Sequence, residues 1–295
     1  MTYCGGSELS RTLSRLTLVG VVYWLVMVLG GCGSNGAKGG EVRDAPYSTC
    51  NRAEPPAERN GASGTVQFNL VKRTLTLKPG AAGIRLALFS GSGLLPPEPD
   101  VIAYLRDTHA DVFVVLGGLG RSTAQATRAA RALQSLQRLV LVVRGGADSF
   151  ELETRPETML LDASALRTLR IGQDSFLLWP GADQGRYALG PAHCGFGEAD
   201  LEALLKELGP REPRERRWLL SWQAPEAGSA LSSFVARAGI QGTFSAWPVQ
   251  PEQENEGLRR VPRAWGPLTE GREGQPHPPA ALVLYVDRDG LRVER

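Results

Sequence analysis

The chain carries 33 Lys and Arg against 31 Asp and Glu over 295 residues, with 42% hydrophobic residues. That length suffices for one large α/β domain or two small ones around a buried core. A net charge of +2 without clustered Lys and Arg excludes a phosphate-backbone footprint, and nucleic acid is not expected as a partner.

In chain order, Arg11 and Arg15 precede an apolar run, Leu16 to Leu29, followed by small residues and Cys32. This is the order of a secretory signal: basic n-region, apolar h-region, cleavage site. The alternative, an uncleaved anchor, needs roughly 20 apolar residues, and the run is short for it. Residues 1–31 are therefore read as a signal peptide. Leu29-Gly30-Gly31-Cys32 resembles the bacterial lipobox, which implies a thioether lipid on Cys32, cleavage before it and acylation of the new amine. More than one acyl chain gives stable attachment, where a single chain binds reversibly. Gly33, not Asp, follows Cys32. Under the sorting rule that retains Asp-bearing lipoproteins in the inner membrane, this favours a cell-envelope address in the outer membrane.

With Cys4 removed and Cys32 lipidated, Cys50 and Cys194 remain. In an oxidising compartment they form a candidate disulfide, worth roughly 2–4 kcal/mol if unstrained, and the alternative is two separately buried thiols. Residues 32–64 are rich in Gly, Ser, Asn, Pro and charge without hydrophobic period, the composition of a flexible tether. The domain is then expected over 65–295.

Val66–Val71 and Thr74–Leu77 alternate and read as a hairpin, and Ile84–Phe89 is continuous enough for a buried strand. Asp100–Thr108 reads as helix and Val112–Leu116 as strand. Ser122–Gln137 is a helix with Ser122 as N-cap and an apolar face of Ala126, Ala129, Ala130, Leu133 and Leu136. Leu139–Val143 returns as strand. Leu166–Ile171 and Ser175–Trp179 form a hairpin around Gly172-Gln173-Asp174, and a helix over Glu198–Leu208 stops at Gly209-Pro210. Trp218–Ser221 is a strand, Ser229–Ala238 a helix and Gly242–Ser245 a short strand. Residues 250–279, rich in Pro, Gly and Glu, read as an irregular surface excursion, before a closing hairpin of Ala281–Val286 and Leu291–Glu294.

Five of the apolar runs end in short loops: Phe89 to Gly93 (FSGSG), Leu116 to Gly120 (LGGLG), Arg144 to Ser149 (RGGADS), Leu220 to Pro225 (LSWQAP) and Phe244 to Val249 (FSAWPV). Their order and spacing resemble the calcineurin-like metallophosphoesterase family, whose loops read D-x-H, G-D, G-N-H-D, H and G-H-x-H. The resemblance runs from about Ile84 to the C-terminus. It implies an α/β fold of two mixed β-sheets packed face to face with flanking helices, a four-layer sandwich.

It also implies the positions of the metal ligands, and there this chain departs from the family. The first Asp and His fall on Gly91 and Gly93, the bridging Asp on Gly118, the Asn and His of the third motif on Gly146 and Ala147, and the later histidines on Trp222, Trp247 and Val249. Asp148 alone persists. Two divalent cations roughly 3.5–4 Å apart need several carboxylate and imidazole ligands, which Gly and indole do not supply. The expectation is therefore no metal, no cofactor and no metal-dependent hydrolysis, with the indoles of Trp222 and Trp247 packed where metals would lie or, alternatively, turned outward as surface aromatics. His109, His193 and His277 fall at no ligand position.

Weaker signals remain. Gly117-Gly118-Leu119-Gly120 has Thr123 where a dinucleotide fingerprint needs Gly, and no Gly-x-Ser-x-Gly turn surrounds Ser221. Arg121 and Arg144 flank the cleft in the family fold and are candidates for holding a phosphate or carboxylate. Three functions stay open: an envelope lipoprotein whose domain serves as a binding or structural module with an envelope protein partner, an active phosphoesterase with non-standard ligands, and a small-anion binder in the emptied cleft.

Overall fold

The computed structural model describes residues 54–80, 82–91, 96–148, 158–184, 194–247, 257–265 and 278–294. All belong to one unit, 45–295. The proposed lipidation site Cys32, Cys50, Gly93, His193, Val249 and His277 lie outside the described residues.

Four short continuous runs dictate the first sheet. β4 (Ile84–Phe89), β5 (Val112–Leu116), β6 (Leu139–Val143) and β7 (Leu160–Asp162) pair in parallel, and β15 (Leu282–Val286) and β16 (Leu291–Val293) extend the sheet antiparallel beyond β4. Side chains alternate between faces in a strand, and here both faces are apolar. Leu86, Leu88, Val114, Leu116, Leu141 and Val143 point into the space between the sheets. Phe89, Phe113, Val115, Val140 and Val142 point the other way, onto α1 (Pro99–Asp107) and α2 (Thr123–Gln134).

The second sheet has eight strands, in the order β1 (Arg59–Ser63), β2 (Val66–Val71), β3 (Thr74–Lys78), β8 (Thr168–Ile171), β9 (Asp174–Trp179), β12 (Arg216–Gln223), β13 (Ile240–Trp247) and β14 (Leu258–Arg260). Phe68, Leu77, Leu169, Phe176, Leu178, Leu220 and Phe244 meet the first sheet across the central core. Leu177, Trp179 and Leu219 face outward onto α3 (Glu198–Leu208) and α4 (Ala230–Arg237). The result is an α/β arrangement of two mixed sheets, of eight and six strands, packed face to face with helices outside. A short parallel pair, β10 (Ala182–Asp183) and β11 (Gly195–Phe196), stands apart.

Capping agrees with the sequence. Ser122 Oγ accepts from Gln125 N at 3.4 Å at the start of α2, Ser229 Oγ accepts from Ser232 N at 3.1 Å before α4, and Gly209 ends α3 with φ 63°. One buried carboxylate ties the start of β9 to the start of β12: Asp174 accepts from Arg216 Nε at 2.9 Å and Nη2 at 2.7 Å, and from Trp218 Nε1 at 2.8 Å. Burial of this anion is offset by two charge-assisted bonds in fork geometry.

Two readings of the sequence are corrected. Residues 59–63, taken as the end of a tether, form β1, which pairs with β2 over five residues. The alternation that would have revealed it is diluted by Asn60 and Gly61. The excursion over 250–279 is not wholly a surface feature: β14 pairs in parallel with β13, and Val261, Ala264 and Trp265 are buried. The 257–265 segment also bonds to the first sheet, with Ser90 N donating to Pro262 O at 2.9 Å and Ala264 N to Ser90 O at 2.8 Å. Long-range pairing overrides the turn-like composition. Among the described residues, no helix is long and apolar enough to cross a membrane.

The central core makes one prediction. Leu141→Ala removes a fully buried side chain between close-packed sheets and costs about 2–5 kcal/mol, read as a lower urea midpoint. Val293→Ala, at an exposed edge, changes stability by less than about 0.5 kcal/mol.

Candidate functional site

Four of the loops singled out in the sequence lie at the carboxyl ends of β4, β5, β6 and β12, where the loop after β9 joins them; the fifth follows β13 and its last residues lie outside the described ones. Carboxyl ends are where ligands bind in open α/β sheets, because backbone groups there are released from pairing. Here the released groups pair with one another. Gly91 N donates to Gly117 O at 3.0 Å, Gly117 N to Val143 O at 2.8 Å and Gly181 N to Arg144 O at 2.8 Å.

Approach of main chain to main chain explains the glycines. Gly118 has φ 75°, and a Cβ on it would overlap the carbonyl group of Gly91; a Cβ on Gly91 would in turn overlap Gly118 O and the Trp265 ring. These two positions match the family's first and bridging aspartates, and neither accepts a side chain without displacing backbone. The absence of side chains at these two positions and the closure of the loops are therefore the same structural fact.

Trp222 occupies the centre of the cluster. Its indole lies against Gly117, Gly145 and Gly146: a Cβ on Gly145 would fall 2.9 Å from Cδ1, and one on Gly146 3.0 Å from Cζ3 and 2.8 Å from Ala182 Cβ. The expected packing of an indole among these loops holds for Trp222, which is half-buried. It does not hold for Trp247, which is 43% exposed at the end of β13. The second aromatic at the cluster is Trp265, whose ring also meets Phe89 at 5.7 Å between centroids. Sequence reasoning missed it because its neighbours are Pro-rich and polar; an isolated Trp within such a stretch was the available signal.

Asp148 is only 2% exposed. Its carboxylate accepts from Gly145 N at 2.7 Å, Gly118 N at 3.0 Å and Gly120 N at 3.4 Å. One side chain thus holds the loop after β5 to the loop after β6, using glycine N–H groups with no strand partner. Burial raises its pKa from 3.8 to about 6, outweighing the three N–H donors and the nearby Arg144 charge, which lower it. Asp148 is a structural acceptor turned toward backbone.

The two arginines considered for ligand binding part company. Arg144 is buried and forms an ion pair with Asp162 on β7, so its guanidinium serves the interior. Arg121 is exposed at the start of α2, its backbone N–H donating to Gln125 Oε1 at 3.0 Å. Ala147 is exposed, and His109 sits after α1 with φ 52°, at the amino-terminal end of β5 and away from these loops.

A buried polar group that sequence reasoning did not single out lies beside Trp222. Gln223 Oε1 accepts from Asp183 N at 2.7 Å, Ser221 Oγ donates to Gln223 O at 2.7 Å, and Ser221 and Ser245 hydroxyls meet at 3.1 Å. These bonds tie β10, β12 and β13 together at the same end. Cys194 is buried nearby, its carbonyl accepting from Ala182 N at 3.0 Å.

Among the described residues, no three His, Cys, Asp or Glu side chains gather in a way that would hold a metal ion. The donor set does not fit the two-metal centre that the family resemblance implies. No protein-family model matches the chain, and no curated protein matches it.

Asp148 carries a pH prediction. Its folded pKa lies above the ordinary value, so the folded state holds this proton more tightly than the unfolded chain. The contribution is complete below pH 3.8 and is lost as pH rises through about 6, a change on the order of 3 kcal/mol. Relative to Asp148→Asn, the wild-type chain should lose stability over that interval in urea unfolding followed as a function of pH.

Proposed function

We propose that this chain is a cell-envelope lipoprotein whose metallophosphoesterase-like domain has lost metal-dependent hydrolysis and serves as a binding or structural module. The observation that carries the reading is the contact between Gly91 and Gly118, at two ligand positions of the family, where backbone meets backbone and a Cβ has no room. A two-metal hydrolase needs an open, acid-lined pocket at this point to offset its cations. Trp222 and the inward-turned Asp148 fill the same region with apolar surface and satisfied hydrogen bonds. Fold does not assign activity, and a site must.

The test is metal content together with turnover. Full-length protein supplied with Mn, Fe and Zn should retain well under one equivalent of each after gel filtration, and show no chelator-sensitive hydrolysis of a generic phosphodiester. Stoichiometric metal together with EDTA-reversible turnover would overturn the reading in favour of an active phosphoesterase.

The membrane part rests on the sequence from Arg11 to Cys32. Palmitate labelling of the expressed protein is expected to vanish with Cys32→Ser, and the wild type should fractionate with outer rather than inner membranes. A non-reducing digest of the same material is expected to link the peptides of Cys50 and Cys194. Label retained in the Ser variant would remove Cys32 as the lipidation site.

A further inference from the structure

The outer face of α2 carries charge of one sign only. No Asp or Glu occurs between Asp111 and Asp148, so no arginine of this helix has a carboxylate three or four residues away to pair with on the helix surface. Ala126, Ala129, Ala130 and Leu133 are buried against the first sheet. Ala124, Arg128, Arg131 and Ser135 are exposed on the opposite side, and their spacing puts them in a single stripe.

The stripe runs into a cleft of about 420 Å³ at the amino-terminal ends of β5 and β6, whose lining includes Arg106, Asp111, Ser135 and Arg138. Both of these arginines are exposed, and each is held by a bond that leaves most of its donors unused. Arg106 Nη2 donates to Ser135 O at 2.8 Å. Arg138 Nη1 donates to Gln137 O at 3.2 Å, with its guanidinium beside Gly64 in the β1–β2 turn. Among the described residues, Asp111 is the one carboxylate in the lining, and both its oxygens already accept, from Arg85 N at 2.9 Å and Thr65 Oγ1 at 3.4 Å.

Arg106, Arg128, Arg131 and Arg138 form no ion pair among the described residues, and the acids of the neighbouring helix, Glu98, Asp100 and Asp107, meet none of them. The helix macrodipole favours cations at the carboxyl end of α2, which accounts for Arg106 and Arg131. It fades within the last turn and does not reach Arg128.

We propose that this face docks on an anionic phospholipid surface, with Arg128 and Arg131 over headgroup phosphates and Arg106 and Arg138 receiving one headgroup in the cleft. Each arginine near such a surface adds attraction, and guanidinium donors match phosphate oxygens. Ala124, between the arginines and the amino end, leaves the helix free to approach closely. The choice of a membrane over an acidic protein rests on the lipid-anchor reading: a lipid on Cys32 holds the domain near a membrane without selecting which face meets it. Docking through α2 makes that selection.

Co-sedimentation of the unlipidated full chain, Cys32→Ser, with vesicles separates the face from the anchor. Vesicles of phosphatidylcholine alone are compared with an equimolar mixture of phosphatidylcholine and phosphatidylglycerol at physiological ionic strength; Arg11, Arg15 and the apolar run Leu16–Leu29 are common to every arm. Arg128→Gln combined with Arg131→Gln is expected to weaken partition onto the anionic vesicles about 30-fold and to leave partition onto phosphatidylcholine unchanged. Arg214→Gln combined with Arg288→Gln removes the same charge at exposed positions elsewhere and is expected to change partition less than about twofold, because distant charges are screened. Equal losses in the two pairs reduce the effect to net charge and overturn the proposal, as does unchanged partition in the α2 pair. Binding to soluble polyglutamate that the α2 pair abolishes, with vesicle binding intact, overturns it in favour of an acidic protein. Palmitate labelling of the wild type tests the anchor separately, so failure of that reading and failure of this one are told apart.

Discussion

The loops at the carboxyl ends of the parallel strands are joined main chain to main chain, and this constraint governs what the domain offers at that end. Gly91 and Gly118 approach too closely for any side chain. Asp148 gathers three N–H groups that have no strand partner, and without such an acceptor their burial would cost on the order of 1–3 kcal/mol each. The clamp and the glycines depend on each other, because only residues without Cβ let the amides converge on one carboxylate.

Aromatic packing completes the closure from two directions. Trp222 comes from β12 in one sheet, and Trp265 from the segment that crosses from β14 to the first sheet, so both sheets contribute to the cover. Arg144 and Asp162 neutralise each other beneath it. At the opposite end lies a cleft lined by arginines, a lysine and glutamates drawn from a turn, two strands and a loop. The domain is sealed by backbone and indole at one end and open and charged at the other.

Much of the fold was legible along the chain. β4, β5 and β6 begin and end where their apolar runs do, because a strand covered on both faces tolerates almost no polar residue and turn residues mark its limits. The helices were equally clear from period and cap. β1 and β14 were not, since Asn60, Gly61 and the Arg259-Arg260 pair give no alternation, and each strand exists only through its neighbour. At the site, the glycine positions and the placement of Trp222 were legible through the family resemblance. Trp265, the inward pairing of Arg144 and the three-amide role of Asp148 were not.

The sequence by itself determined the extents of the core strands and helices and the residues present in the five loops, because apolar periodicity and residue identity are local properties; the packing of two sheets face to face it offered only through the resemblance to a family. Only the tertiary structure decided how the glycine loops close on one another, which tryptophan turned inward and where the charged cleft lies. Those outcomes depend on distances between segments far apart in the chain, set by the packing of one sheet on the other.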